Sequence, residues 1–197
     1  MGNNILKASV TIQGVRPLLF HRFGPDSMPL EKREKTGVAG NDPEEWKRTV
    51  LMTADRQLYL DPTYVFGCLR DGARYTKKGK GSIQTVVSAT LQVVNNRVLV
   101  DRYVPAEDAI TTDPEQPVYL DIRGVKNPTT KGRNVRYRVA ASPGWKVSFD
   151  IVWDKTIVSR GEIENVIVDA GRLVGIGNGR SIGFGRFEKV SFSIEEG

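Results

Sequence analysis

Cysteine and histidine each occur once in 197 residues, as Cys68 and His21. A single thiol excludes an internal disulfide, and one thiol with one imidazole cannot complete a Cys/His zinc site within the chain. No stretch reaches about 18 uninterrupted apolar residues, so no membrane-spanning helix is expected. Met1 to Ser9 carries Lys7 but no apolar core. An export signal is therefore not expected, and a reducing cytoplasm is the expected compartment. Internal repeats and low-complexity tracts are missing as well.

What is present is an apolar share of 39%, spread along the chain and sufficient for one packed core. A single domain over 1–197 is the expectation. Lys and Arg outnumber Asp and Glu by 29 to 23, and the net charge of +6 favours an anionic partner.

Periodicity predicts the elements. Ile5, Ala8, Val10, Ile12 and Val15 alternate with polar residues as in a strand that Pro17 ends. Over 18–56 the composition turns to charge, Gly and Pro, which predicts a loop-rich insertion. It holds one helix that Asp42 caps and Pro43 starts, with Trp46 and Val50 on a shared face. Leu58 to Leu60 predicts a short strand. Asp61-Pro62 then supplies an N-cap and a preset first residue for a helix to about Tyr75, with Val65, Leu69 and Ala73 inward. Ile83 to Val94 and Arg97 to Arg102 are expected to be extended and joined by the turn-prone Asn95-Asn96. Val118 to Ile122 and Val135 to Ala140 predict a hairpin within a basic segment over 120–142, and Trp145 to Trp153 a further strand.

Ser159 and Glu162 have capping-box spacing. They open a helix whose apolar positions are Ile163, Val166, Ile167, Ala170 and Val174. A last strand holds Phe187, Val190, Phe192 and Ile194. The order strand, helix, strands, helix, strand predicts an α+β, ferredoxin-like or RNA-recognition-motif sandwich. Two helices cover one face of its antiparallel sheet and leave the other available to a nucleic-acid strand.

Two basic regions stand out. Arg70, Arg74 and Lys77 recur at four and three residues along the predicted helix, and Lys78 and Lys80 continue the charge. From Arg123 to Arg138 there are six basic residues, Arg123, Lys126, Lys131, Arg133, Arg136 and Arg138, with Tyr137 among them and no acidic residue. Such a segment repels itself, which favours contact with a polyanion over a solvated hairpin.

The run Gly175-Ile-Gly177-Asn-Gly179-Arg180-Ser-Ile-Gly183-Phe-Gly185-Arg186 places five glycines in eleven positions between a helix and a strand. Physics alone leaves two readings. One is a backbone that cradles phosphate with two arginines beside it, and the other is a helix C-cap followed by a tight turn. The order is the reverse of a dinucleotide-binding fingerprint, which follows a strand and opens a helix, and no cofactor is expected.

The spacing Gly-x-Gly, five residues, Gly-Phe-Gly resembles the glycine-rich loop of the RAMP superfamily, the repeat-associated proteins that form and process CRISPR RNA complexes. Independently, the segment from Leu60 to Arg70 resembles the family stretch that opens the first helix, with Phe66 where the family has lysine. The pattern is nearest that of the backbone subunit of CRISPR effector complexes. The resemblance implies a subunit that polymerises on guide RNA with copies of itself and other effector subunits, and a protruding hairpin between neighbours.

The nucleic-acid-binding set expected is Arg70, Arg74, Lys77 and Lys78; Lys126, Lys131, Arg133, Arg136 and Arg138; and Gly177, Gly179, Arg180, Gly183, Gly185 and Arg186. His21 resembles in position the general acid or base of related endoribonucleases, but Leu18, Leu19, Phe20 and Phe23 around it favour an edge-of-core histidine. Asp26 lies where some backbone subunits carry a metal-assisting aspartate, beside a Gly24-Pro25 turn that favours aspartate by itself. A sequence-independent, non-catalytic RNA-binding subunit is the first expectation. A His21 endoribonuclease and a single-stranded DNA-binding or assembly protein are the alternatives.

Overall fold

The computed structural model describes residues 4–24, 42–126 and 131–195. Its first strand, β1 (Ile5–Gly14), buries Ala8, Val10 and Ile12 and turns Ser9, Thr11 and Gln13 the other way, as the period of two requires. It lies between β10 (Lys146–Asp154) and β11 (Phe187–Ile194), both antiparallel to it. The sheet continues through β7 (Val98–Tyr103) to β3 (Gln57–Leu60), in the order β11-β1-β10-β7-β3. Taken as first, second, third and fourth strands, β1, β7, β10 and β11 follow the ferredoxin-like order, with β3 added at the edge. The α+β sandwich expected from the element order is the observed fold.

Local chemistry explains the two principal helices. In α2 (Pro62–Gly72) the Asp61 carboxylate accepts from the Thr63 N–H at 2.9 Å, and Pro62 occupies the first turn. In α4 (Arg160–Asp169) the Ser159–Glu162 capping box is complete. The two helices cover one face of the sheet and meet closely. A Cβ at Gly72 would lie 2.6 Å from the Ala170 Cβ, so only glycine fits. The opposite face carries Ser9, Thr11, Ser148 and Asp150 at its centre, a polar surface not dominated by cations.

Three expectations are corrected. Ile83 to Val94 is extended only at its end, where Gln92–Val93 form β6 against β10; before it α3 (Gln84–Thr90) forms, with Ile83, Val87 and Leu91, spaced by four, all buried. Their β-branched neighbours had favoured a strand, and burial at helical spacing outweighs that preference. The supposed insertion is partly core. Leu18–Leu19 form β2, Phe20 and Leu51 are buried, and only residues 25–41, Asp26 among them, lie outside the described part. The helix there, α1 (Glu45–Thr49), starts two residues later than Pro43 predicts; Asp42 accepts from the Glu44 N–H and Trp46 is buried, but Val50 follows the helix as its extended C-cap.

A second sheet carries the hairpin. β8 (Val118–Lys126) and β9 (Arg133–Ala141) pair in register, and β2 pairs with the buried base of β9. Glu45 clamps β9 to α1. Its carboxylate accepts from the Tyr137 N–H at 3.1 Å, from Arg136 and from His21 Nε2 at 3.2 Å. Burial pushes this carboxyl up, but the His21, Tyr137 and Arg136 donors outweigh it and hold it below its ordinary value of 4.5.

The glycine loop doubles back between α4 and β11. After a wide π-helical turn over Ala170–Val174, the loop bonds to β2 and to itself: Asn178 N–H to Leu19 O at 2.9 Å, Ile176 N–H to Gly185 O at 2.9 Å, and Gly185 N–H to Pro17 O at 2.8 Å. Gly185 has φ +68° and a Cβ there would sit 1.8 Å from the Ile176 carbonyl oxygen. The close approach that glycine permits here is therefore within the chain.

Two measurements check these constraints. Gly185→Ala combines left-handed strain with a backbone clash and should cost about 3 kcal/mol, lowering the melting temperature by roughly 6–12 °C. Gly183→Ala, at φ +91° but with open space around it, should cost only about 1 kcal/mol. Glu45→Gln should lose about 1–3 kcal/mol at pH 7 in denaturant titration. Because the folded-state pKa of Glu45 is lowered, its contribution is present above the unfolded value and is lost as pH falls through the folded value, so variant and parent should converge below pH 4.5.

Candidate nucleic-acid interface

The last turn of α2 and the glycine loop enclose an open groove of about 600 Å³ lined by Arg74, Tyr75, Asn178, Arg180, Arg186 and Leu173, among others. Three guanidinium groups line it from two segments, Arg74 just past α2 and Arg180 and Arg186 on the glycine loop. Asp71 also lines it and ties two cations in place: its Oδ2 accepts from Arg180 Nη1 at 3.2 Å, and its Oδ1 accepts from Arg70 Nε and Nη2 at 3.0 and 2.9 Å. Arg186 Nη1 is buried without a hydrogen-bond partner among the described residues. Tyr75 and Leu173 are close to half exposed and give the groove an apolar edge. Of the expected stripe only Arg70 lies on α2 and only Arg74, two residues past its end, lines the groove, where it faces the same space as the glycine-loop arginines.

Lys77 and Lys78 do not extend α2. Thr76 turns inward to Asp169 at 2.7 Å, and Lys77–Lys78 form β4 of a two-residue ladder with β5 (Gly81–Ser82). Both lysines are exposed, and Lys78 pairs with Glu162 at 2.9 Å.

The hairpin cations divide. Arg138 is buried, donating to Asp121 at 2.9 Å and to Asn178 Oδ1 at 2.7 Å, so it is not presented to a ligand. Arg123 makes a two-pronged contact with Asp121 and lies 4.8 Å over the Phe184 ring. Arg136 is held by Glu45. The expectation of uncompensated charge fails for these three, because Asp121 and Glu45 approach from outside the 123–138 segment. Lys126, Lys131 and Arg133 at the outer end are exposed, and none forms an ion pair among the described residues.

Of the loop glycines, Gly177 and Gly179 line the groove, whereas Gly185 is buried in the loop's own packing and Gly183 faces open space. His21 is not on the groove; it is spent on Glu45. Burial pushes the Cys68 thiol up to about 12, which keeps it protonated and inert. Sequence reasoning missed Tyr75 and Asn178. The available signal was an aromatic at the end of a basic stripe and a polar residue between two glycines.

No family model matches the sequence, and no curated protein does. Among solved structures the chain is similar to one in the cryo-EM structure of the Type III-B Cmr-beta bound to cognate target RNA, at 14% identity and a TM-score of 0.51. The match covers 98% of this chain and 61% of that one, so this chain spans about three fifths of its neighbour's length. What the two share at that identity is the fold.

Proposed function

We propose that this chain is an RNA-binding subunit of a CRISPR-type ribonucleoprotein, cytoplasmic, holding the backbone of a single-stranded guide RNA beside copies of itself and other effector subunits. The observation that carries the reading is the groove in which Arg74, Arg180 and Arg186 converge. Planar guanidinium forks match phosphate oxygens, and three in one open groove favour a polyanion over a neutral ligand. Tyr75 at the rim offers a face on which an unpaired base can stack, a contact open to every base and closed to a paired strand. The exposed hairpin cations Lys126, Lys131 and Arg133 supply a second, outlying contact of the same sign. Similarity to a chain from an RNA-bound Cmr-beta complex supports the assignment.

Fluorescence anisotropy on single-stranded RNA of mixed sequence tests it. Log affinity should fall linearly with log salt, by about 0.7 per phosphate neutralised, and Arg180→Ala should reduce that slope by about one such step. The RNA should be recovered intact. An affinity insensitive to salt, or an Arg180→Ala variant with an unchanged slope, would refute the groove as the site.

A further inference from the structure

Asn178 lines the groove beside Gly177, Gly179 and Arg180, and both of its ends are constrained. Its backbone N–H is bonded to Leu19 O, and its side-chain Oδ1 accepts from Arg138 Nη1 at 2.7 Å. Arg138 is 4% exposed and its guanidinium has donors only, so the amide must turn its oxygen toward Arg138. The amide nitrogen is then turned away from Arg138. It donates to no described residue and is not a buried orphan, which leaves it open at the groove.

That orientation decides what Asn178 can recognise. An asparagine that reads adenine uses its oxygen and its nitrogen together. Here the oxygen is turned to Arg138 and the amide N–H donors face the groove, beside the guanidinium groups of Arg180, Arg186 and Arg74. Phosphate oxygens accept, and the Asp71 carboxylate on the groove wall is already engaged by Arg180 and Arg70, so the amide and the guanidinium groups together suit the backbone of the strand.

We propose that the Asn178 side-chain amide is an uncharged phosphate-binding donor of the groove, held in its donor orientation by the buried Arg138. The inference rests on the RNA-binding reading above and names one further residue of that site. Arg138 on this view is a positioning residue, which explains why a basic side chain of the hairpin is buried beneath the groove.

A neutral donor and a cation leave different signatures. Losing a hydrogen bond to phosphate lowers affinity, but no counterion is released by an amide, so the salt dependence does not change. Asn178→Ala should weaken binding about ten-fold, equally at every salt concentration and equally on oligo-A, oligo-U and oligo-C. Arg180→Ala should instead flatten the salt slope. Asn178→Asp keeps an acceptor for Arg138 while replacing the donor with an anion. It should retain the parent melting temperature and bind more weakly than Asn178→Ala, which separates loss of the donor from loss of the fold.

Wild-type affinity in both Asn178 variants would overturn this inference alone, as would a defect confined to oligo-A. A parent protein that binds none of the three RNAs would overturn the proposed function with it.

Discussion

Arg138 carries a full charge into the interior at the base of the hairpin, and burial there is tolerated only because acceptors meet it. Removing one partner of such a group costs several kcal/mol, since the charge that remains has nowhere to go. Asp121, itself buried, takes one end of the guanidinium and Asn178 takes the other. Asp121 also holds Arg123, whose guanidinium lies over Phe184 of the glycine loop. Hairpin base, loop and groove are therefore assembled as one unit: none reaches its observed position without satisfying the others.

The glycines serve the same assembly. A chain leaving a helix must reverse, bond to β2 and return to the sheet within a few residues, and it does so through five positive φ values between Gly175 and Gly185. At Gly185 a side chain would occupy the space of the Ile176 carbonyl. This tight fold lets Arg180 and Arg186 reach the space facing Arg74, just past the end of α2. Glu45 does a comparable job at the other side of the hairpin, joining α1 to β9 through the Tyr137 N–H and Arg136 and to the segment after β2 through His21. Charge near the hairpin base is compensated, whereas Lys126, Lys131 and Arg133 farther out are exposed and form no ion pair among the described residues.

The legible elements were those whose signals are local. Asp61-Pro62 and the Ser159–Glu162 box are complete within four residues, and strands such as Ile5–Gly14 announce themselves by alternation on a half-buried sheet. In the 83–94 stretch only Gln92–Val93 is the strand expected; the rest is helical, since β-branched residues favour strands on their own while the buried spacing of Ile83, Val87 and Leu91 acquires its force only against a core. The hairpin charges were misjudged for a related reason. A count along 123–138 finds no carboxylate, yet Glu45 lies far off in sequence and arrives only through folding.

By itself, then, the sequence determined the element order, the helix caps, the basic character and the need for backbone freedom from Gly175 to Gly185, since each follows from neighbours within a turn or two. Tertiary structure alone decided which cations are available: it buried Arg138, engaged Arg123 and Arg136, and brought Arg74, Arg180 and Arg186 to one groove. The physical reason is that the availability of a charge depends on the dielectric around it and on the partners within about 4 Å, and both are properties of packing between segments distant in the chain.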